Sequence, residues 1–338
     1  MKVAILYQKN PPPEKDGIIK PMKEGGYSDS GADIAFALRE KGVDVITPVV
    51  KPDVRSDLDW VYPDTHEGIM DAISLGADTF WLNTVLFKGH PIEPFIAGGY
   101  WMVGQIPESV EIFDDKIRTN EALSNNGLPI PRNILVQKEN LIDFKIGFSY
   151  PVVVKPIRSR GSQGVKLVNA DSDLRRTIGE MFDSNVYGNA VYIEEFLSGE
   201  EITISIMPPG KYQIGDHEMC KDDYWALPPV KRVNHIDGIA PYNGIVAVTQ
   251  NSIVLTDDQI TNPLVASALL SCKKAAKVVD ARSVIRIDCR ANNQGDFFLF
   301  DLNMKPNMTG ASRPHRNDQD SLTVIAARKI GWNFYDFI

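Results

Sequence analysis

The chain predicts an α/β fold, α+β overall, and three observations carry that expectation. Lys2 to Tyr7 is a short apolar run with the make-up of a buried strand. Residues 1–103 then alternate strand-like and helix-like stretches, the pattern of a parallel sheet flanked by helices. Late in the chain, Ile285 to Arg290 and Phe297 to Leu302 read as strands around Ala-Asn-Asn-Gln-Gly-Asp, a turn composition.

The elements follow in order. Asn10 to Gly26 is polar with prolines and glycines, so it is a long loop, of the kind that often carries function. Ser30 is a cap for a helix over Ala32 to Lys41, with Gly42 just past its end. Val43 to Val50 reads as a strand, Glu67 to Leu75 as a helix stopped by Gly76, Asp78 to Leu86 as a strand and His90 to Ala97 as a short helix. No Gly-x-Gly-x-x-Gly opens any of these helices, so a dinucleotide site lacks support. Ser109 to Asn126 is an amphipathic helix containing DDKIRT, stopped by Gly127-Leu-Pro-Ile-Pro131. Arg132 to Val136 and Pro151 to Pro156 are strands. The loop RSRGSQG, Arg158 to Gly164, leads into another strand. Asp171 caps a helix to Ser184. Ala190 to Leu197 is a strand broken by Gly199, and Glu201 to Met207 follows. Tyr212 to Gly244 reads as irregular. Thr256, Asp257 or Asp258 starts the longest helix, running to about Asp280, and Ser321 begins the last one, to Gly331.

Composition excludes several classes. The 338 residues suffice for two or three domains, and a net charge of −8 argues against general nucleic-acid affinity. Cys220, Cys272 and Cys289 form no CxxC pair, so a disulfide framework or zinc site is not expected and a reducing cytoplasm fits. The apolar run at the N-terminus is too short for a signal peptide, and no run of about 18 apolar residues marks a membrane span.

Three constellations carry chemistry. In the hairpin, side chains alternate faces, so Arg286 shares a face with Asp288, and Asp301 with Asn303. A turn centred on Gln294-Gly295 sets Asp288 opposite Asp301. Facing carboxylates repel, so something positive belongs between them. Two acids and a carboxamide oxygen suit a hard cation such as Mg2+, which combines such ligands with phosphate oxygens. By itself the hairpin fits a solvated turn with scattered acids equally well. PVVVKP places Lys155 at a strand end beside a Gly-rich loop whose free N–H groups suit phosphate. A surface loop with a snorkelling Lys is the plainer alternative, and the Walker A spacing is absent. EEFLSGEE, Glu194 to Glu201, offers backbone groups to an adenine edge and an acid to ribose hydroxyls, or is an ordinary solvated strand end. Lys116 of DDKIRT, taken alone, is a helix-surface lysine.

In sequence order, DDKIRT, GLPIP, PVVVKP with its loop, EEFLSGEE, then RID and DLN resemble the ATP-grasp fold, and within it the D-alanine–D-alanine ligase family. The resemblance spans roughly residues 100–312. It implies a Rossmann-like parallel-sheet domain over 1–103 and two α+β subdomains, 104–197 and 198–338, that sandwich ATP. It assigns phosphate binding to Lys116 and Lys155, a lid to Arg158 through Ser162 and Gly164, and adenine contacts to Glu194, Glu195, Phe196 and Leu197. Glu201 takes the ribose. Lys221, in competition with Lys231, takes phosphate. Asp288, Asp301 and Asn303 hold two Mg2+ ions, Mn2+ being possible. Arg286 steadies an oxyanion, with the backbone N–H near Asn307 where the family has glycine, and Ser312 receives the acceptor's carboxylate. The activity so implied is ATP-dependent joining of a carboxylate and an amine through an acylphosphate, with an amino acid as first substrate and a homodimer as the assembly; a phosphotransferase that stops at phosphorylation and a non-catalytic ATP-binding protein are the alternatives. Three departures stand out. The family's Gly-Gly-x-Ser-x-Glu run after the first strand is missing, leaving Glu24 and Asp29 as weak candidates for an ammonium ligand. Asp301 stands where Glu is usual. Arg313 and Arg316 are additions, which implies a substrate more negative than D-alanine.

Overall fold

The computed structural model describes every residue except 16, 159–162, 215–216, 237 and 241–247. Three sheets organise the chain. The first is parallel and runs Asp44–Val45, Lys2–Tyr7, Thr79–Asn83, Trp101–Val103, with Tyr62–Pro63 extending the end of Lys2–Tyr7. The second is antiparallel, in the order Asn133–Gln137, Ala190–Glu195, Val152–Pro156, Lys166–Val168. Helix Asp171–Asp183 covers it, and Leu174, Ile178, Met181 and Phe182 fill a core of its own. The third sheet is antiparallel. Glu201–Met207 lies at its centre, between Val230–Arg232 and Ile285–Ala291, and Phe297–Asn303 and Ser252–Val254 take the edges.

Alternation along Glu201–Met207 gives the third sheet two different faces. Ile202, Ile204 and Ile206 point to helix Pro263–Val278 and share a core with Cys272, Ala275, Ile285, Ile287 and Cys289. Glu201, Thr203 and Ser205 point the other way, where the Ser205 hydroxyl meets that of Thr323 on helix Leu322–Lys329 at 2.9 Å. The register puts Thr203 beside Asp288 and Ser205 beside Arg286. One face of the sheet is thus oil and the other carries the charges. Apolar residues of the first and third sheets pack into two common cores.

Several elements differ from the sequence expectation. The helix expected over Ser109 to Asn126 is two, Pro107–Phe113 and Lys116–Asn125. Asp115 causes the break: its carboxylate accepts from the backbone N–H of Ile117 (2.9 Å) and Arg118 (3.2 Å), which makes it a cap. The longest helix likewise splits, because Asn262 caps and Pro263 opens Pro263–Val278, leaving Asp257–Ile260 as a separate turn. The strand expected over Val43 to Val50 keeps only Asp44–Val45; Pro48 has no N–H for a ladder. Tyr212 to Gly244 is not wholly irregular. Gly210–Ile214 and His217–Lys221 pair as a ribbon, and Trp225–Ala226 and Val230–Arg232 join the third sheet. Asp171 is the first residue of its helix and not a side-chain cap.

Helix Ser28–Glu40 starts earlier than expected, and Ser30 does not cap it. Gly25, Gly26 and Tyr27 all have positive φ (71°, 56° and 68°), which turns the chain sharply into the helix. The Ser30 hydroxyl donates to Tyr27 O at 3.2 Å and accepts from Asn83 Nδ2 at 3.0 Å. Gly26 is also a close approach, since a Cβ there would fall 1.7 Å from Gln8 O. Gly26→Ala should therefore lower stability by more than about 1 kcal/mol, read from urea denaturation. An unchanged midpoint would contradict this backbone geometry.

Candidate active site

The hairpin of the third sheet, Ile285–Ala291 and Phe297–Asn303, does place Asp288 opposite Asp301. The route is less direct than a simple turn. Ala291 pairs with Phe297 and Cys289 with Leu299, and a bulge at Phe300 then shifts the register so that Asp301 meets Asp288. The bulge also turns the Phe300 carbonyl toward Lys155, 3.5 Å from its Nζ.

Charge balance follows from what surrounds the two acids. Asp288 is 2% exposed, accepts from the Thr203 hydroxyl at 2.7 Å and lies 3.2 Å from an Arg286 guanidinium nitrogen. Burial pushes its carboxyl up, Arg286 pulls it back, and the nearby Asp301 charge adds to the rise. Asp301 forms an ion pair with Lys116 and accepts from Asn303 Nδ2 at 3.2 Å. Burial alone would raise Asp301; Lys116, then Lys155 and Arg286, override it and bring it down to about 2. Burial likewise works against the charge on Lys116, and Asp301 outweighs it, so the ammonium is held above its usual range. The helix break at Asp115 is what allows this. Lys116 becomes the first residue of its helix and reaches the hairpin.

Lys155 is 5% exposed, donates to Glu194 Oε1 at 2.8 Å and lies over the rings of Tyr192 (5.7 Å) and Phe300 (5.5 Å). Glu194 is 4% exposed; burial pushes its carboxyl up, against Lys155 and Lys116. Its Oε2 is buried with no hydrogen-bond partner among the described residues. Arg158 reaches back to Asp115 at 3.1 Å. Ser162 lies outside the described residues, and Gly164, at φ 74°, follows them.

The segment expected to meet adenine divides between ion pairs and packing. The Glu195 carboxylate is bound by Arg132, through N at 3.0 Å and Nε at 2.7 Å. Phe196 lies under the Arg290 guanidinium at 4.7 Å, and Leu197 is buried. Glu201, 3% exposed, has His235 Nε2 at 2.8 Å and Arg290 at 3.7 Å. Arg286, Asp288 and Arg290 continue one face of a strand, and Glu201, Thr203 and Ser205 one face of its neighbour, so both faces form a single charged surface. Thr203 and Arg290 were missed in sequence, although counting by twos from Glu201 and Asp288 reaches them. His235 and Phe300 had no such signal.

Other expected residues stand apart. Lys221 is on the two-stranded ribbon with its ammonium over Trp225 at 5.6 Å, and Lys231 pairs with Glu200; no described contact joins either to the hairpin acids. The Asn307 side chain is engaged locally, accepting from Thr309 N at 3.1 Å and Thr309 Oγ1 at 2.8 Å. Ser312 Oγ is buried with no hydrogen-bond partner among the described residues. Arg313 overturns the expectation of a substrate-binding guanidinium. It is 0% exposed and donates to Asp33 (2.8 Å), Asp57 (2.7 Å), Val54 O (3.2 Å) and Asp29 O (3.0 Å). Arg316 also faces inward, to Asp33 and Asp29. Asp29 is held by Lys23 and Arg316, which occupies a candidate ammonium ligand.

Among the described residues, no three His, Cys, Asp or Glu side chains gather as a metal-binding group. Asp288, Asp301 and Asn303 supply two acids and a carboxamide. That donor set fits Mg2+ where phosphate oxygens complete the shell, and does not fit a cage built from protein alone. Among the described residues, no helix is long and apolar enough to cross a membrane.

Comparison with known proteins fits this geometry. The family model for the D-ala D-ala ligase C-terminus matches residues 123–319. The D-alanine–D-alanine ligase of Pseudomonas entomophila (strain L48) is 25% identical over 228 residues, which cover 66% of this chain and 62% of the relative. The enzyme of Buchnera aphidicola subsp. Schizaphis graminum is 26% identical over 239 residues, 66% of each. The match thus spans somewhat under two thirds of the length of the first of these relatives. Two crystal structures share the fold. One is D-alanine–D-alanine ligase from Bacillus anthracis complexed with ATP (TM-score 0.65, 17% identity, covering 100% of this chain and 94% of that one). The other is VanG D-Ala:D-Ser ligase from Enterococcus faecalis (TM-score 0.65, 15% identity, 99% and 96%). A family model that matches more than half of the residues, and that spans Lys155, Asp288, Asp301 and Asn303, makes the chain a member of the D-alanine–D-alanine ligase family, with the ATP-grasp fold.

Proposed function

We propose that the protein is an ATP-dependent carboxylate–amine ligase that forms an amide through an acylphosphate, with an amino acid as first substrate. The observation that supports this best is the meeting of Lys116, Lys155, Arg286, Asp288, Asp301 and Asn303 at one bulged hairpin. Lys116 and Lys155 neutralise charge on a transferred phosphoryl group, and both are held in place by acids, Asp301 and Glu194. Asp288, Asp301 and Asn303 would hold Mg2+, or Mn2+, which when bound offsets charge on the phosphates. Glu194 to Leu197 lie along the adenine and Glu201 at the ribose. A first carboxylate attacks the γ-phosphate and ADP departs. An amine then attacks the acyl carbon, and phosphate leaves. Arg286, one nitrogen of which donates to Asp288, would stabilise the tetrahedral oxyanion.

A phosphotransferase would have less use for Arg286, and the measurement that separates the two is ADP release with and without amines. Amine-stimulated release supports the ligase. Amine-independent turnover to a stable phosphorylated product replaces it with a kinase. Removing divalent cations with EDTA should stop ADP release, and Mg2+ or Mn2+ should restore it. Turnover that persists in EDTA would remove the metal assignment.

A further inference from the structure

We propose that His235 is a positioning residue for the nucleotide, holding the Glu201 carboxylate where it accepts from the ribose hydroxyls. The inference rests on the ligase reading, which puts ATP on the charged face of the third sheet with Glu201 at the ribose. The motifs that carry the family resemblance do not include His235.

Strand register and one contact place His235 on that face. Glu201 pairs across the strands with Arg290 on one side and Arg232 on the other. Two residues along, about 7 Å on, Thr203 donates to Asp288 at 2.7 Å. Glu201 therefore lies near the hairpin acids and on their side of the sheet. The two arginines belong to the sheet itself, whereas the imidazole comes from outside it, with Nε2 2.8 Å from Glu201 Oε2. A carboxylate only accepts, so Nε2 donates. Arg290 reaches the same oxygen at 3.7 Å. Contacts gathered on Oε2 set the roll of the carboxylate. With about four acceptor sites, it can take a hydroxyl beside them.

Local structure holds His235 in place. Asn234, at φ 59°, turns the chain just before it. Ile236 and Ile239 then bridge through paired hydrogen bonds of 3.0 and 2.9 Å. The Gly238 carbonyl accepts from Arg290 at 2.5 Å, and a Cβ on Gly238 would come 3.0 Å from Phe196 Cζ. Phe196 belongs to the segment expected to meet adenine and lies under Arg290. One turn thus touches the expected adenine segment through Gly238 and the expected ribose ligand through His235. The imidazole is 21% exposed and the Glu201 side chain 3%, so His235 stands at the open side of a buried acid.

The test sets ATP against 2′-deoxy-ATP and 3′-deoxy-ATP in amine-dependent release of the nucleoside diphosphate, with wild type, His235→Ala, His235→Gln and Glu201→Gln. Wild type should prefer ATP over at least one deoxynucleotide by about tenfold or more in kcat/KM, the cost of losing a hydrogen bond to a charged acceptor. His235→Ala should lose most of that preference through a raised KM for ATP, with kcat/KM for the deoxynucleotide and KM for the amine unchanged. His235→Gln, whose amide also donates to a carboxylate, should recover part of it. Glu201→Gln should weaken the preference too. Should His235→Ala fail to fold, His235→Phe, which keeps a ring but cannot donate, takes its place.

A preference that survives in His235→Ala overturns the proposal, whether or not Tm falls. So does an equal loss with ATP and the deoxynucleotides, which would mark His235 as a tether of its turn, and so does a wild type without any preference. Failure of the ligase reading shows separately, as no amine-stimulated release by wild type with any pair of amino acids. Calorimetric titration of ADP, 2′-deoxy-ADP and 3′-deoxy-ADP into wild type and His235→Ala then decides. A preference of roughly tenfold for ADP that the variant loses supports the proposal. A preference that the variant keeps, none in wild type, or no nucleotide binding at all overturns it.

Discussion

Asp301→Asn should cut ADP formation by on the order of a thousandfold, about 4 kcal/mol of transition-state stabilisation at 1.36 kcal/mol per decade. Asn keeps the shape and loses the charge, and that charge serves twice. It pairs with Lys116, and it is one of the two acids that face each other across the hairpin. Asp301→Glu should stay within about tenfold of wild type, because the resemblance has Glu as the usual acid at that position. The pair of variants separates loss of charge from disturbance of the bulge: equal loss in both would mean that geometry, not charge, decides.

The same substitution has a pH signature. The folded carboxyl is held at about 2, below the usual value of about 3.9. A depressed acid adds stability that is present above its unfolded value and is lost as pH falls through the folded one. The stability advantage of wild type over Asp301→Asn should therefore narrow below about pH 4. Denaturation curves at pH 7 and below pH 4 check this, and a gap that widens with acid would show that Lys116 is not its partner.

The sequence pattern revealed the site more readily than the segments between. Period-two alternation put Arg286 with Asp288 and Asp301 with Asn303, and pairing across the turn joined the two acids. The bulge at Phe300 was not legible, because a bulge adds a residue without a composition of its own. The acid pair survived only because the turn centre and the bulge offset each other. Lys116 looked like a surface lysine for a related reason. Apolar spacing runs through Asp114 and Asp115, and only the Asp115 cap starts a new helix there. The two arginines were misread because a guanidinium looks the same in sequence whether it meets a ligand or an internal acid. The acids that satisfy Arg313 are more than two hundred and fifty residues away. Local patterns do not report such long-range pairs, and those pairs decide whether a charge is available to a substrate.

Arg313→Ala should cost roughly 3–5 kcal/mol of stability, the usual penalty for breaking one side of a buried ion pair. Asp33 is buried with it and would be left with Arg316 alone. Burial already raises the Asp33 carboxyl against the pull of Arg316 and Arg313, so removing one of them leaves a costly acid behind. Arg313 also ties the segment after Ser312 to helix Ser28–Glu40 and to the backbone at Val54 and Asp29. Arg313→Lys should fall between wild type and Arg313→Ala, since a lysine keeps the charge but cannot reach four acceptors spread over two segments. Arg316→Ala, at a position still partly open to water, should cost about 1 kcal/mol or less. Urea midpoints order the three variants. A cost near zero for Arg313→Ala, with KM raised for one substrate and ATP binding intact, would return Arg313 to the substrate pocket.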